Sequence, residues 1–201
     1  MQLTNDQSFL VKTVDKKSAN NLERETAGYL IRPYCKEDRE MWIKSVVDAE
    51  EKEFIKLLQM SREQQKSDKA YHMAVVQKNG DKIVATVMIT EVLREQYQSA
   101  FLGLSSNQKQ VGDQVVIESF AAAMDIGFND LALHRLEMLH TTHTKISKQV
   151  LHTLGLRSEG IRKQCFLWEE KWIDAEVFAI TKDEWSSKHV SALMNTTYQM
   201  R

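Results

Sequence analysis

A chain of 201 residues with 42% hydrophobic residues can bury a full core without staples, and it fits one domain. Its formal net charge of −1 provides no positive field for nucleic acid, and no apolar run approaches membrane-spanning length, so neither is expected as a partner. The two cysteines, Cys35 and Cys165, lack metal-ligand spacing, so we expect no metal and interpret them as free thiols in a reducing cytoplasm.

The composition divides the chain into three parts. Residues 1–27 are polar except for an apolar run from Phe9 to Val14, and they are interpreted as an N-terminal arm or an extra edge strand. Residues 28–195 carry the regular apolar patterns of one folded domain. Residues 196–201 are interpreted as a C-terminal tail.

Apolar periodicity in the long central part predicts alternating strands and helices. The predicted strands are Gly28–Pro33, Tyr71–Val76, Ile83–Thr90, 98–104, His134–His140, about 161–168 and about 172–180. The predicted helices begin at Lys36 and then cover about 50–65, Val115–Phe128, Lys145–Leu154 and Lys182–Leu193. This order predicts an α/β (α+β) domain, a mixed sheet with helices on both faces.

The segment from Gln98 to Asp130 is the most informative, because it is predicted to run from a strand through a polar loop into a helix. The first N–H groups of a helix have no partner within it, and the helix dipole is positive at that end. A strand that leads into such a helix start therefore predicts an anion-binding loop.

Five short motifs follow one another in this order along the chain. They are Leu30-Ile31-Arg32-Pro33, Leu133-His134-Arg135-Leu136-Glu137, Ser147 to Gly155, Leu156-Arg157-Ser158-Glu159-Gly160, and Lys171-Trp172-Ile173-Asp174. Together they resemble the motifs of GNAT-superfamily acyltransferases of the ribosomal-protein N-acetyltransferase (Rim) type. The resemblance implies the GNAT fold: a twisted, mostly antiparallel mixed sheet in which strands 98–104 and 134–140 are parallel and splayed apart.

The resemblance also implies a function. It suggests an N-acyltransferase that moves an acetyl group from acetyl-CoA to a primary amine, by direct attack in a ternary complex. The acceptor would be a protein N-terminus or a small amine, and the sequence leaves both open. The protein is expected to act in the cytoplasm as a monomer or homodimer.

The predicted coenzyme loop departs from the family pattern Gln/Arg-x-x-Gly-x-Gly/Ala. In one alignment with this pattern, Val111 stands at the position of the Gln or Arg, and Gln114 and Val116 stand at the positions of the two small residues. Only Gly112 agrees with the pattern in that alignment. A second register places Lys109 at the first position. Both registers indicate that side chains narrow the approach to the loop. Two interpretations stay open: a modified coenzyme site, or a lapsed one whose fold serves as a binding or assembly module.

The resemblance assigns coenzyme contacts to the strand before the loop, the loop itself and the start of a later helix. These residues are Leu102, Gly103, Leu104, Lys109, Val111, Gly112, Asp113, Gln114, Val115, Thr144 and Ser147. Backbone N–H groups between Val111 and Val116 are predicted to hold phosphate oxygens, with Lys109 as an auxiliary cation. Gln114→Gly is expected to tighten binding if crowding is the only defect.

Three side chains are candidates for the chemistry. Ser147 occupies the position at which the family's serine points at the coenzyme sulfur, although a serine at a helix start also caps local backbone. His140 is a candidate general base, with His143 behind it, because a histidine titrates near neutral pH. Glu91, at a strand end, is a candidate proton relay or amine-binding group, although such acids are more often solvated. Glu118 is interpreted as structural.

Overall fold

The computed structural model describes residues 22–46, 49–78, 80, 82–106 and 112–185. The strands are β1 (Arg24–Glu25), β2 (Tyr29–Pro33), β3 (Tyr71–Gln77), β4 (Ile83–Leu93), β5 (Ser99–Ser105), β6 (Arg135–His140), β7 (Arg157–Trp168) and β8 (Lys171–Thr181). The α-helices are α1 (Arg39–Ser45), α2 (Glu51–Lys66), α3 (Asp113–Asp125) and α4 (Lys148–Thr153).

All eight strands belong to one sheet, in the order β1-β2-β3-β4-β5-β6-β8-β7. Neighbouring strands are antiparallel except β5 and β6, which are parallel and are joined through α3. The mixed, mostly antiparallel sheet with one parallel pair confirms the sequence prediction. Within the described part of the chain, no helix combines the length and the apolar character needed to cross a membrane.

Successive residues of β3 point into two apolar clusters on opposite faces of the sheet. Val75 lies in the larger cluster with Phe120 of α3 and Leu151 of α4, all three of them fully buried. Val76 lies in the smaller cluster with Phe54 of α2. Each such side chain contributes roughly 1.5–3 kcal/mol through burial. The two clusters therefore fix α3 and α4 on one face and α1 and α2 on the other.

The arginine of the first motif, Arg32, has a structural partner. Arg32 at the end of β2 binds both carboxylate oxygens of Asp38, at 2.8 and 2.6 Å, and Asp38 is only 1% exposed. Burial alone would raise the pKa of Asp38, but the hydrogen bonds from Arg32 and from the Cys35 backbone outweigh it and lower that pKa. This pair fixes the turn between β2 and α1.

Several element boundaries differ from the prediction. The helix predicted from Lys36 begins as a 3-10 turn, Lys36–Asp38, and α3 continues into a π-helical turn, Ile126–Asp130. The helix start predicted at Lys182 is wrong, because residues 182–184 form a turn in which the Glu184 carboxylate accepts the Thr181 N–H at 2.8 Å. Residues 186–193 of that prediction lie outside the described residues.

Candidate active site

A cleft opens in the sheet where β5 and β6 diverge. The two strands pair through three residue pairs, the last of which is Phe101–Glu137. Beyond this pair, residues 102–105 are paired with β4 and residues 138–140 with β8, but not with each other. Each strand therefore presents an unpaired backbone edge to the cleft. Such edges can bind an extended ligand that carries amide groups.

Three of the predicted coenzyme contacts form the β5 edge of this cleft. The side chain of Leu102 is 4% exposed and lies in the core, and Leu104 packs against the same cluster. At Gly103 a Cβ would come within 3.2 Å of the Met88 side chain. These three residues therefore offer backbone groups to the cleft, and a side chain at 103 would require Met88 to move.

The start of α3 follows β5 and supplies hydrogen-bond donors. Gly112 caps the helix, and its carbonyl accepts the N–H groups of Val115 at 3.0 Å and Val116 at 3.4 Å. The N–H groups of Val115 and Val116 are therefore already bound within the helix start, and phosphate binding between Val111 and Val116 stays a prediction. Donors for an anion are confined to Gly112, Asp113 and Gln114 within the described part of this loop. Lys109 and Val111 lie outside the described residues.

The side chain of Gln114 does not extend toward the cleft but turns back along α3. Its amide donates to the carboxylate of Glu118, which also accepts from the Thr26 hydroxyl and, at 2.9 Å, from the Gly28 N–H. Glu118 is 1% exposed, so these donors stabilise a buried carboxylate. Val116 is 2% exposed and packs in the core. The predicted narrowing of the loop by Gln114 and Val116 is therefore not observed.

The turn between β6 and α4 brings two further predicted contacts together. The Thr144 hydroxyl oxygen accepts the Thr141 N–H at 2.9 Å, which closes the turn on itself. Ser147 caps α4, and its hydroxyl oxygen accepts the Val150 N–H at 3.3 Å. This is the capping role that the sequence left open for Ser147. Its own O–H proton has no acceptor among the described residues and can still be donated to a ligand.

His140 lies at the end of β6 beside this turn. Its Nε2 is 2.9 Å from the carbonyl oxygen of Ile146. A carbonyl only accepts, so Nε2 carries the proton and Nδ1 has a free lone pair in the neutral ring. Glu176 is the cross-strand neighbour of His140, and hydrogen bonds from Lys148 and Ser158, with a smaller effect of His140, lower the pKa of Glu176.

Glu91 is separated from the other two candidates. It occupies a bulge in β4, with a left-handed backbone (φ 51°), opposite Ala100 of β5. Ala100 in turn pairs with Leu136 of β6, four residues before His140. The structure thus brings His140 and Ser147 together at one end of β6 and places Glu91 two strands away. The described residues contain no group of three or more side chains suited to hold a metal ion.

A family model described as an acetyltransferase (GNAT) domain matches residues 19–157. The chain belongs to this acetyltransferase family. The predictions of a GNAT domain with the Rim-type resemblance, and of membership in an enzyme family, are therefore confirmed.

Curated relatives of this GNAT chain are named N-acetyltransferases. The probable N-acetyltransferase YjcK of Bacillus subtilis is 28% identical over 119 residues, which are 59% of this chain and 66% of that protein. The ribosomal protein uS5-alanine N-acetyltransferase of Escherichia coli is 26% identical over 129 residues, which are 64% of this chain and 66% of that protein. The matched stretches thus span just under two thirds of these relatives.

Solved structures share the GNAT fold. Mycobacterium smegmatis RimJ, in complex with CoA-disulfide, superimposes with a TM-score of 0.71 at 20% identity and covers 87% of this chain and 92% of that one. The ribosomal-protein-S5-alanine acetyltransferase from Vibrio fischeri gives a TM-score of 0.70 at 20% identity and covers 83% of this chain and 100% of that one.

One residue of this GNAT site was not singled out in the sequence. Glu137 lies in the last parallel pair before the cleft. Its carboxylate is 2.6 Å from Nε of Arg135 and 3.7 Å from Nη2 of Arg162. Nothing in the sequence located the point where β5 and β6 diverge. Similarly, His143 stacks on Trp168, with 4.8 Å between the two ring centroids.

Proposed function

We propose that this GNAT protein is an N-acetyltransferase that takes the acetyl group from acetyl-CoA and transfers it to a primary amine. The observation that carries the proposal is the cleft between β5 and β6: β5 leads into α3, and at the start of that helix the N–H groups of residues 112–114 have no partner among the described residues. The cleft edges suit the amide groups of an extended thioester, and the helix start suits its phosphates. The CoA-bound RimJ structure supports this assignment.

In this proposal His140 and Ser147 divide the proton transfers between them. Nδ1 of His140 has a lone pair and accepts a proton from the attacking amine. The O–H proton of Ser147 passes to the departing thiolate as the proton held by protonated His140 replaces it, so no alkoxide is left, and the Ser147 oxygen stays anchored by the Val150 N–H. Glu91, in the β4 bulge, is assigned the earlier step of binding the cationic amine before its deprotonation.

The proposed acceptor is the N-terminal amine of a protein in the cytoplasm. This choice over a small amine is supported by the E. coli relative, which is named a ribosomal protein uS5-alanine N-acetyltransferase, because alanine has no side-chain amine. Whether the protein acts as a monomer or a homodimer stays a prediction.

Titration of acetyl-CoA into the full chain by calorimetry tests the proposal. A working site is expected to bind with a dissociation constant on the order of micromolar or tighter. The absence of binding at about millimolar ligand would contradict it. Release of free CoA thiol with an alanine-initiated peptide, but not with the same peptide acetylated at its N-terminus, then tests the acceptor. A turnover confined to small polyamines would refute the protein N-terminus.

The alternative function, a binding module with a lapsed coenzyme site, depended on Gln114 and Val116 filling the cleft. Gln114 is instead bound to Glu118, and Val116 is buried in the core. The alternative has therefore lost the steric argument on which it rested.

A further inference from the structure

A second cavity lies on the opposite face of the sheet from α3 and α4. It has a volume of about 270 Å³ and is formed between the 3-10 turn before α1 and one side of α2. Phe54 and Leu58, which are 2% and 8% exposed, form its floor. Ile55 forms a wall and is 45% exposed, so a large aliphatic side chain stays in contact with water. We refer to it as the α1–α2 cavity.

The rim of the α1–α2 cavity is positively charged. Lys36, Arg39 and Arg62 line it, and no acidic residue does so in the described part of the chain. Arg39 is bound to Glu51 at 2.7 Å. Lys36 and Arg62 are exposed and form no ion pair among the described residues, and Lys36 interacts electrostatically with the exposed Glu37 beside it. An apolar floor beneath two cations that form no ion pair favours a ligand that is apolar in the middle and negatively charged around it.

We propose that the α1–α2 cavity binds an acidic peptide segment of a partner protein, with one bulky apolar side chain in the cavity and flanking carboxylates on Lys36 and Arg62. The volume has room for one bulky side chain and is near the lower end of the about 300 to 1,000 Å³ that is usual for small-molecule pockets. An apolar anchor in a pocket with a polar rim is also the usual arrangement of a protein–protein contact. This proposal is independent of the acetyltransferase function, since none of the cavity residues lies at the β5–β6 cleft.

Fluorescence anisotropy with the full chain tests it, without acetyl-CoA. The probe is the N-terminally acetylated peptide Asp-Glu-Phe-Glu-Asp with a dye at its C-terminus, which has no free N-terminal amine. Saturable binding is expected at low salt, with affinity about fivefold or more weaker when the phenylalanine is replaced by alanine. The double variant Lys36→Gln/Arg62→Gln is expected to weaken binding by about tenfold.

The control is Lys44→Gln/Lys56→Gln, which removes the same charge from α1 and α2 at exposed positions that do not line the cavity. Both double variants change only exposed residues, so their melting temperatures check that folding is intact. The proposal is overturned if the peptide does not bind, if its alanine version binds equally well, or if the control weakens binding as much as Lys36→Gln/Arg62→Gln. Full displacement of the peptide by phenylacetate at equal concentration would assign the cavity to a small carboxylate and overturn the peptide.

Discussion

Replacing Gln114 by glycine, the residue of the family motif, is predicted not to tighten acetyl-CoA binding. The Gln114 amide is bound to the buried Glu118 carboxylate and does not occupy the cleft. Its removal deletes a hydrogen bond to a charged group, which is worth roughly 1.5–3 kcal/mol. Gln114 is half-buried and water can replace part of this bond, so Gln114→Ala is expected to cost about 1.5 kcal/mol. Glycine adds up to about 1 kcal/mol for its lower helix propensity.

Calorimetric melting measures these costs. For a chain of this size 1 kcal/mol corresponds to roughly 2–4 °C, so the melting temperature should fall by about 3–6 °C for alanine and about 5–10 °C for glycine. A double-mutant cycle with Glu118→Gln should show a coupling of about 1 kcal/mol, because the neutral pair is weaker. Gln149→Ala, on the exposed side of α4, is the control and should change stability by less than about 0.5 kcal/mol.

The same variants decide whether the side chain obstructs the coenzyme. If Gln114→Gly raises the affinity for acetyl-CoA about tenfold and leaves the melting temperature unchanged, the side chain blocks the site and the reasoning from the Glu118 contact is refuted.

Three other predictions concern the loop, the proposed acid and the β2–α1 turn. Lys109→Ala should weaken acetyl-CoA binding by about 1 kcal/mol in calorimetry, and unchanged affinity would make the lysine a solvated loop residue. Ser147→Ala should cost about 1 kcal/mol of stability through loss of the cap and should also lower kcat; a stability loss with unchanged kcat would leave only the cap. Asp38→Asn should cost about 2–4 kcal/mol at pH 7, because it breaks a buried ion pair. Because the folded-state pKa of Asp38 is lowered, the stability lost in Asp38→Asn should be complete above pH 3.8, the ordinary pKa of an aspartate, and should shrink in melts at lower pH. A loss that grows toward low pH would contradict the ion pair between Arg32 and Asp38.

The strand order was predictable because it depends on patterns that the sequence displays. The apolar residues of 71–76 and the alternation of 134–140 placed these strands, and the motifs from Leu30 to Asp174 indicated which pair is parallel. The π-helical turn at Ile126–Asp130 was not predictable from periodicity, because its residues continue the apolar pattern of α3. Residues 182–184 were misassigned because a long-range contact, from Arg157 to Glu184, contributes to the turn.

The candidate site was predictable only in part, for a different reason. Sequence position placed His140 and Ser147 near each other, since both flank one short turn. It could not show that the Ile146 carbonyl fixes the His140 proton on Nε2, because that bond depends on how the turn closes. Glu91 was grouped with them by role, yet sheet order separates it by two strands.

The loop shows most clearly what a motif comparison leaves out. Comparing side-chain sizes at position 114 assumes that a larger side chain occupies the space in front of its own backbone N–H. At the second position of a helix, however, a side chain can turn toward the residue four positions later. Glu118 supplies a buried acceptor at that distance, and Thr26 and Gly28 hold it in place. The tolerance for Gln114 at this helix start therefore depends on an acid in α3 and on two residues that precede β2, so the loop cannot be judged from its own sequence alone.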